Sequence, residues 1–293
     1  MRIEPDEDRV HALSVSPRTK HPHALPVAPV VKAFDRFGTS AEVLRAAVLS
    51  ALGYIAIMAA GMFVTGQVIG LGYFDPEFVF ALFVVEVVLS LFALAVARRL
   101  FGHWHCGFGP VRWRGLAGLL PYLVLMAAFA IAVVTTRTPK PSLLAFTIVV
   151  TTMLIGFSEE LMFRGIVLKA AVGPLGPARA ILLSAMLFAL LHAANLLALL
   201  PLLAVVLQMS FVFILGIAMG CIALRANSLV PLMAYHTLWN IVQFLGRLWH
   251  VDFGRLIVLT LFVNIATAAV LWLAMLRRNK SSPIAPQAPP IPG

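Results

Sequence analysis

The chain has 293 residues, of which 61% are hydrophobic and only 12% are charged. A soluble domain carries about 25% charged residues, so this composition excludes an ordinary soluble protein and indicates several membrane-spanning helices. The formal charge of +10 does not indicate nucleic-acid binding, because basic loops of membrane proteins set orientation and face anionic lipid. We predict an all-α polytopic transmembrane bundle that contacts membrane lipid and no nucleic acid.

Polar segments flank the apolar part of the chain. Residues 1–44 predict a cytoplasmic tail, and they lack the apolar stretch of a secretory signal peptide. Residues 281–293 are rich in proline and predict an extended cytoplasmic tail. Cys106 and Cys221 are too few and too far apart to indicate a disulfide framework or a zinc ribbon.

Eight apolar segments between these tails predict eight spans. They cover roughly 46–70, 78–97, 116–135, 142–163, 180–199, 202–224, 229–246 and 256–276. They divide into a three-span region at 45–141, a four-span core at 142–246 and a final span within 247–280.

Basic residues predict the orientation of these spans. With a cytoplasmic N-terminus, 18 of the 22 lysine and arginine residues lie on the cytoplasmic side, Arg164 among them. Both termini are therefore predicted to be cytoplasmic, in a multi-pass protein of a bacterial cytoplasmic membrane. Glu159 would lie near the cytoplasmic end of the fourth span, and a site there would open toward the cytosol.

Two adjacent carboxylates, Glu159 and Glu160, occur in the fourth apolar segment. A carboxylate inside a membrane is costly and is a functional candidate by default. Neighbouring residues of a helix point about 100° apart. Glu160 and Arg164 are four residues apart, which favours an ion pair. Glu159 has no such partner, so we assign it the chemistry and assign Glu160 and Arg164 a supporting role.

Later segments supply three further polar side chains. His192 follows Phe188 by one helical turn, and that ring is expected to pack beside the imidazole. His236 and Asn240 are also one turn apart and share a helix face. Each of these residues alone is compatible with interhelical packing. Together with Glu159, they supply a base, an imidazole and two oxyanion donors for water attack on an amide.

The same residues permit a second chemistry. Glu159, His192 and His236 could bind Zn²⁺ as a His₂Glu site with an open position for water. The usual His-Glu-x-x-His zinc-protease motif is absent. We expect no required cofactor and keep zinc as the alternative.

The set resembles the three motifs of the CAAX-protease and bacteriocin-processing (CPBP, or Abi) family of intramembrane proteases. The resemblance covers about residues 142–246. The matching positions are Glu159, Glu160 and Arg164 for Glu-Glu-x-x-x-Arg, Phe188 and His192 for Phe-x-x-x-His, and His236 and Asn240 for His-x-x-x-Asn.

This resemblance implies an intramembrane endopeptidase that cuts a peptide or protein substrate, lipidated or not, near the cytoplasmic membrane face. It also implies roles, with the attacking water held by Glu159 and His192 and the oxyanion by His236 and Asn240. Two alternatives stay open, namely a non-proteolytic immunity or scaffold protein of the same fold and a proton-coupled transporter. Glu86, in the second segment, lies outside the motifs and is expected to pair with a buried polar group or line the cavity.

Overall fold

The computed structural model describes residues 39–102, 107–136 and 142–281, with side chains up to residue 277. The predicted tails lie almost wholly outside these ranges, and so does Cys106. The described residues form eight α-helices and no β-strand. Their bounds are α1 Ser40–Phe63, α2 Phe78–Phe101, α3 Leu120–Thr136, α4 Leu143–Glu160, α5 Lys169–Leu191, α6 Leu202–Ala226, α7 Val230–Leu248 and α8 Gly254–Ser281.

Short segments of other helix types extend several of these helices. The π-helical segment Val64–Ile69 continues α1, and the π-helical segment Leu161–Leu168 joins α4 to α5. A 3₁₀ segment, Trp113–Leu119, precedes α3, and another, His192–Leu196, follows α5. Gly176 interrupts α5 with a φ of 75°, a left-handed conformation that glycine adopts without a Cβ clash.

The protein is a multi-pass membrane protein by the length and composition of its helices. Within the described residues, six helical runs are long and apolar enough to cross a membrane. They are Ser40–Ile69, Phe78–Phe101, Trp113–Thr136, Leu143–Leu196, Leu202–Ala226 and Gly254–Arg277. The long run Leu143–Leu196 contains the predicted fourth and fifth spans. Helix α7 is not among the six, so the count of eight spans stays a prediction.

Helix α4 lies at the centre of the fold and packs against α2 and α7, while α6 packs against α5 and α8. Gly156 allows α4 and α7 to approach closely, since a Cβ there would overlap Thr237 Oγ1 and lie 2.9 Å from Met233 O. Ser142 begins α4, because its side chain accepts a hydrogen bond from Ala145 N. The contact between α4 and α7 brings the acids of one helix to the histidine of the other.

The helix that carries Glu159 extends beyond its predicted span. It continues past residue 163 through the π-helical segment Leu161–Leu168 into α5. The position of Glu159 near the cytoplasmic end of the fourth span stays a prediction. Arg164, which the sequence analysis counts among the basic residues of the cytoplasmic side, is only 1% exposed. The cause is its pairing with Glu160, which neutralises the guanidinium inside the bundle.

The bundle has two distinct ends. At one, which we call the basic end, the loop at 107–112 bonds to the connection between α6 and α7 through Leu229 N to Gly107 O and Arg112 N to Ala226 O. At the other, the loop at 70–77 contacts the chain after α5 through Tyr73 N to Ala198 O, and it contacts Arg247 near the end of α7. We call this second end the mouth.

Candidate active site

A charged network connects three elements through the Glu160 carboxylate. Its Oε1 accepts hydrogen bonds from Arg164 Nη1 and from His236 Nδ1, each at 3.1 Å. Glu160 and Arg164 are almost fully buried. Two cationic or polar donors on one carboxylate oxygen stabilise the charge that burial would otherwise disfavour. Glu160 therefore pairs with Arg164, as the four-residue spacing predicted, and it also orients His236.

Glu159 faces the other nitrogen of the same imidazole. Its Oε2 lies 3.6 Å from His236 Nε2, which is an ion-pair distance but not a hydrogen bond. In the described part of the chain, Oε2 has no hydrogen-bond partner. Because Nδ1 of His236 donates to Glu160, its Nε2 carries a proton only in the imidazolium form. Glu159 is thus a buried acid with an oxygen left for a further ligand.

His192 is held in a single tautomer by the backbone. Its Nδ1 donates to the carbonyl oxygen of Phe188 at 3.0 Å, since a carbonyl can only accept. The neutral ring therefore presents Nε2 as an acceptor. His192 begins the 3₁₀ segment that follows α5, and this segment is tied to α6 by Asn195, whose Nδ2 donates to Gln208 Oε1 at 2.8 Å.

The ring of Phe188 contacts three members of the site. The Arg164 guanidinium carbon lies 4.1 Å from its centroid, and the rings of His192 and His236 approach it edge-on at 5.2 and 6.1 Å. The sequence predicted only the contact with His192. The stacked arginine is a cation–π contact, which is worth more where water is excluded. Phe188 therefore packs against Arg164 and against both histidine rings.

A side chain of α5 bonds to the π-helical segment after Glu160. Phe163 O, in that segment, accepts a hydrogen bond from Ser184 Oγ at 2.7 Å. Ser184 is buried on α5, so it anchors the segment that carries Arg164. Sequence inspection did not indicate Ser184, because nothing local marks the π-helical segment.

A second network, built only of neutral donors, lies on the other side of α4. Ser158 Oγ donates to Glu86 Oε2 at 2.9 Å, and the Tyr54 hydroxyl, 2.8 Å away, donates to Ser158. Glu86 and Tyr54 are fully buried. No cationic partner lies within ion-pair distance of Glu86 in the described ranges. The expectation that Glu86 pairs with a buried polar group is met by Ser158, and Tyr54 and Ser158 were both missed.

Two adjoining cavities bring the predicted residues together. A cavity of about 90 Å³ is lined by Glu86, Glu159, His192, His236 and Asn240, among others. A larger one of about 280 Å³ shares His192, His236 and Asn240 and is bordered by Glu160, Arg164 and Phe188. All seven motif residues therefore line one or the other of two adjoining cavities.

The larger cavity extends toward the mouth and not toward the basic end. Its lining continues along α7 from His236 to Arg247 and includes Tyr73 of the loop at 70–77. The sequence predicts an opening toward the cytosol, on the side of the basic loops. The polar residues of α7 lead toward the mouth, and which end of the bundle faces the cytosol stays a prediction.

The zinc alternative does not fit the arrangement of the donors. Among the described residues, no three His, Cys, Asp or Glu side chains come close enough together to hold a metal ion. Glu159, His192 and His236 line the same space but do not converge as a ligand set. The requirement for a cofactor stays a prediction.

Comparison with known proteins gives one match. Residues 140–242 match the family model described as type II CAAX prenyl endopeptidase, Rce1-like. This region is similar to the CAAX prenyl endopeptidases. The family resemblance noted from the motifs is confirmed over this stretch, which is about a third of the chain and contains every motif residue. Neither the curated proteins nor the solved structures contain a match to the chain.

Proposed function

We propose that the protein is an intramembrane endopeptidase of the CAAX-protease type, acting in a bacterial cytoplasmic membrane on a peptide or protein substrate. The observation that carries the proposal is the convergence of seven motif residues, from helical elements distant in sequence, on two adjoining cavities. The family match over residues 140–242 supports the same reaction class.

In the proposed reaction, a water molecule is held between Glu159 and Nε2 of His192. Glu159 is the base because its Oε2 lacks a hydrogen-bond partner in the described structure and faces the cavity. His192 presents an acceptor nitrogen because its Nδ1–H is bonded to Phe188 O. As the water attacks the peptide carbonyl carbon, its proton passes to Glu159 and later to the leaving amine.

The same attack places negative charge on the carbonyl oxygen, which needs donors that are already in position. Asn240 contributes its side-chain N–H, and His236 contributes Nε2–H in the imidazolium form. Glu160 positions this ring, because its carboxylate accepts the hydrogen bond from Nδ1–H at 3.1 Å. The role of Glu160 is therefore to hold His236, while Arg164 pairs with Glu160.

The proposal is tested with purified protein in lipid vesicles and a fluorogenic peptide that ends in S-farnesyl-Cys-Val-Ile-Met, beside the same peptide without the lipid. We expect Glu159→Gln and His192→Ala to lower the cleavage rate by about 10³-fold, the scale of a lost general base. Glu77→Gln is the matched control, because Glu77 is exposed in the loop before α2 and lines neither cavity.

Cleavage that persists in Glu159→Gln would contradict the assignment of the base. A biological activity that Glu159→Gln retains while no cleavage is detected would favour the non-proteolytic scaffold. Thermal unfolding of each variant beside the wild type separates loss of chemistry from loss of fold.

A further inference from the structure

Helix α7 carries a polar stripe that is longer than the reaction centre requires. His236, Asn240, Gln243 and Arg247 follow one another at spacings of four, three and four residues, which places them on one face of the helix. All four line the cavity of about 280 Å³. This stripe also makes α7 too polar to count among the candidate membrane spans. The proposed chemistry uses only the first two residues.

The two remaining residues of the stripe have unused donors. Gln243 Nε2 is buried and has no hydrogen-bond partner in the described ranges, which is costly unless a ligand supplies an acceptor. Arg247 makes one hydrogen bond in the same ranges, from Nη1 to Tyr73 O at 3.3 Å. No acidic side chain of the described residues lies within ion-pair distance of Arg247.

Aromatic rings hold the Arg247 guanidinium at the mouth. Its central carbon lies 4.9, 5.1 and 5.5 Å from the ring centroids of Tyr73, Phe74 and Phe244. Such stacking positions the planar group and leaves its edge available for a bidentate partner. The side chain is half-buried, so an anion bound there would be partly shielded from water. A carboxylate matches this geometry better than a neutral group does.

We propose that Arg247, with Gln243, binds the free C-terminal carboxylate of the peptide whose bond is cut at Glu159. This inference rests on the proposed function, and it specifies which end of the substrate the protein binds. Eleven residues separate His236 from Arg247, so the helix rises about 16 Å between them. An extended peptide advances about 3.3 Å per residue. The segment beyond the cut bond therefore spans about five residues or fewer.

The test compares two forms of one probe, the S-farnesyl-Cys-Val-Ile-Met peptide with a free carboxylate and the same peptide with a C-terminal carboxamide. We expect the wild type to prefer the acid by about 10-fold to 100-fold in kcat/KM, the range of a charge-assisted hydrogen bond. Arg247→Gln should lower kcat/KM for the acid by that factor and leave the amide unchanged. Arg247→Lys keeps the positive charge but loses the paired N–H donors of the guanidinium. It should recover part of the preference for the acid that Arg247→Gln loses.

Arg255→Gln is the matched control, because Arg255 is an exposed arginine in the first turn of α8 and does not line the cavity. This variant should keep the acid preference. An equal loss for acid and amide in Arg247→Gln would overturn the proposal and assign Arg247 to anchoring the loop at 70–77. Arg247→Gln could also lower kcat/KM for both peptides by an amount that changes with the content of anionic lipid in the vesicles. That result would assign Arg247 to a lipid headgroup and would also overturn the proposal.

Binding of the two peptides to Glu159→Gln separates this inference from the proposed function. A preference for the acid that Arg247→Gln abolishes in that background supports the carboxylate site even if the wild type cleaves neither peptide. Equal binding of acid and amide, together with normal cleavage by the wild type, refutes the carboxylate site and leaves the peptidase proposal intact.

Discussion

Two buried carboxyl networks flank the same cavity, and they differ in charge. On one side of α4, Glu160 bonds to Arg164 and His236, and the same histidine faces Glu159. On the other side, Glu86 has only the neutral donor Ser158, which in turn bonds to Tyr54. A buried carboxyl group without a cationic partner is costly, so the two networks differ in what a lost partner would cost.

This difference shows how one helix serves two purposes with neighbouring residues. Ser158 and Glu159 are consecutive, yet they point about 100° apart and belong to different networks. The neutral network joins α1, α2 and α4 and contributes to stability. The charged network joins α4 to α7 and supplies the proposed chemistry. Variants that damage one network and spare the other test this division.

The largest effect on stability is expected from Arg164→Gln. Removing the guanidinium leaves the Glu160 carboxylate buried without its cation, which costs about 3–5 kcal/mol in the free energy of unfolding. Thermal or denaturant unfolding in a fixed detergent measures this loss. The double variant Arg164→Gln/Glu160→Gln should recover much of the stability, because no unpaired charge remains.

The cleavage activity of the double variant shows whether the charged network has a catalytic role or only a structural one. It should stay poorly active, because His236 has lost the carboxylate that orients it. Full recovery of both stability and cleavage would show that the charged network is only structural.

A smaller effect is expected from Gly156→Ala, which acts on the contact between α4 and α7. The added methyl group would overlap Thr237 Oγ1, so α7 must move and carry His236 with it. We expect a loss of about 1–3 kcal/mol in stability, as for other overpacked sites. The cleavage rate should fall by more than the unfolded fraction of the variant accounts for.

Gly53→Ala on α1 is the matched control. The nearest atom to a Cβ at Gly53 is 3.5 Å away, an ordinary contact, so stability and cleavage should both stay close to wild type. Equal behaviour of the two glycine variants would contradict a tight approach of α4 to α7.

The smallest of these effects is expected from Ser158→Ala in the neutral network. It removes the donor of Glu86 Oε2 and the acceptor of the Tyr54 hydroxyl, which costs about 1–2 kcal/mol. Cleavage by the folded protein should stay within about 10-fold of wild type, because Glu159 keeps its contact with His236. A collapse of activity without a change in stability would assign the neutral network to catalysis.

The helices and the motif pairs could be predicted because their signals are local. Apolar runs marked all eight helices, although α5 begins at Lys169 and not near residue 180. Spacings of four placed Glu160 beside Arg164 and His236 beside Asn240. The family motifs then predicted which side chains would meet, and all of them line one or the other of the two adjoining cavities. The roles assigned to those side chains stay predictions.

The contacts between helices could not be read from the sequence. The pairs Glu160–His236 and Glu86–Ser158 are 76 and 72 residues apart, and they form only because α4 packs against both α7 and α2. The burial of Arg164 was missed for a related reason. A charge in an apolar segment usually marks the end of a span, but a buried partner removes that constraint.

The comparison of Glu159→Gln with Glu86→Gln tests the central claim most directly. Both variants replace a buried acid of the smaller cavity by its amide, and both are assayed with the same farnesylated peptide in the same vesicles. The account predicts a loss of about 10³-fold in cleavage for Glu159→Gln and less than about 10-fold for Glu86→Gln. Equal losses, or a larger loss for Glu86→Gln, would contradict the assignment of the chemistry to the charged network.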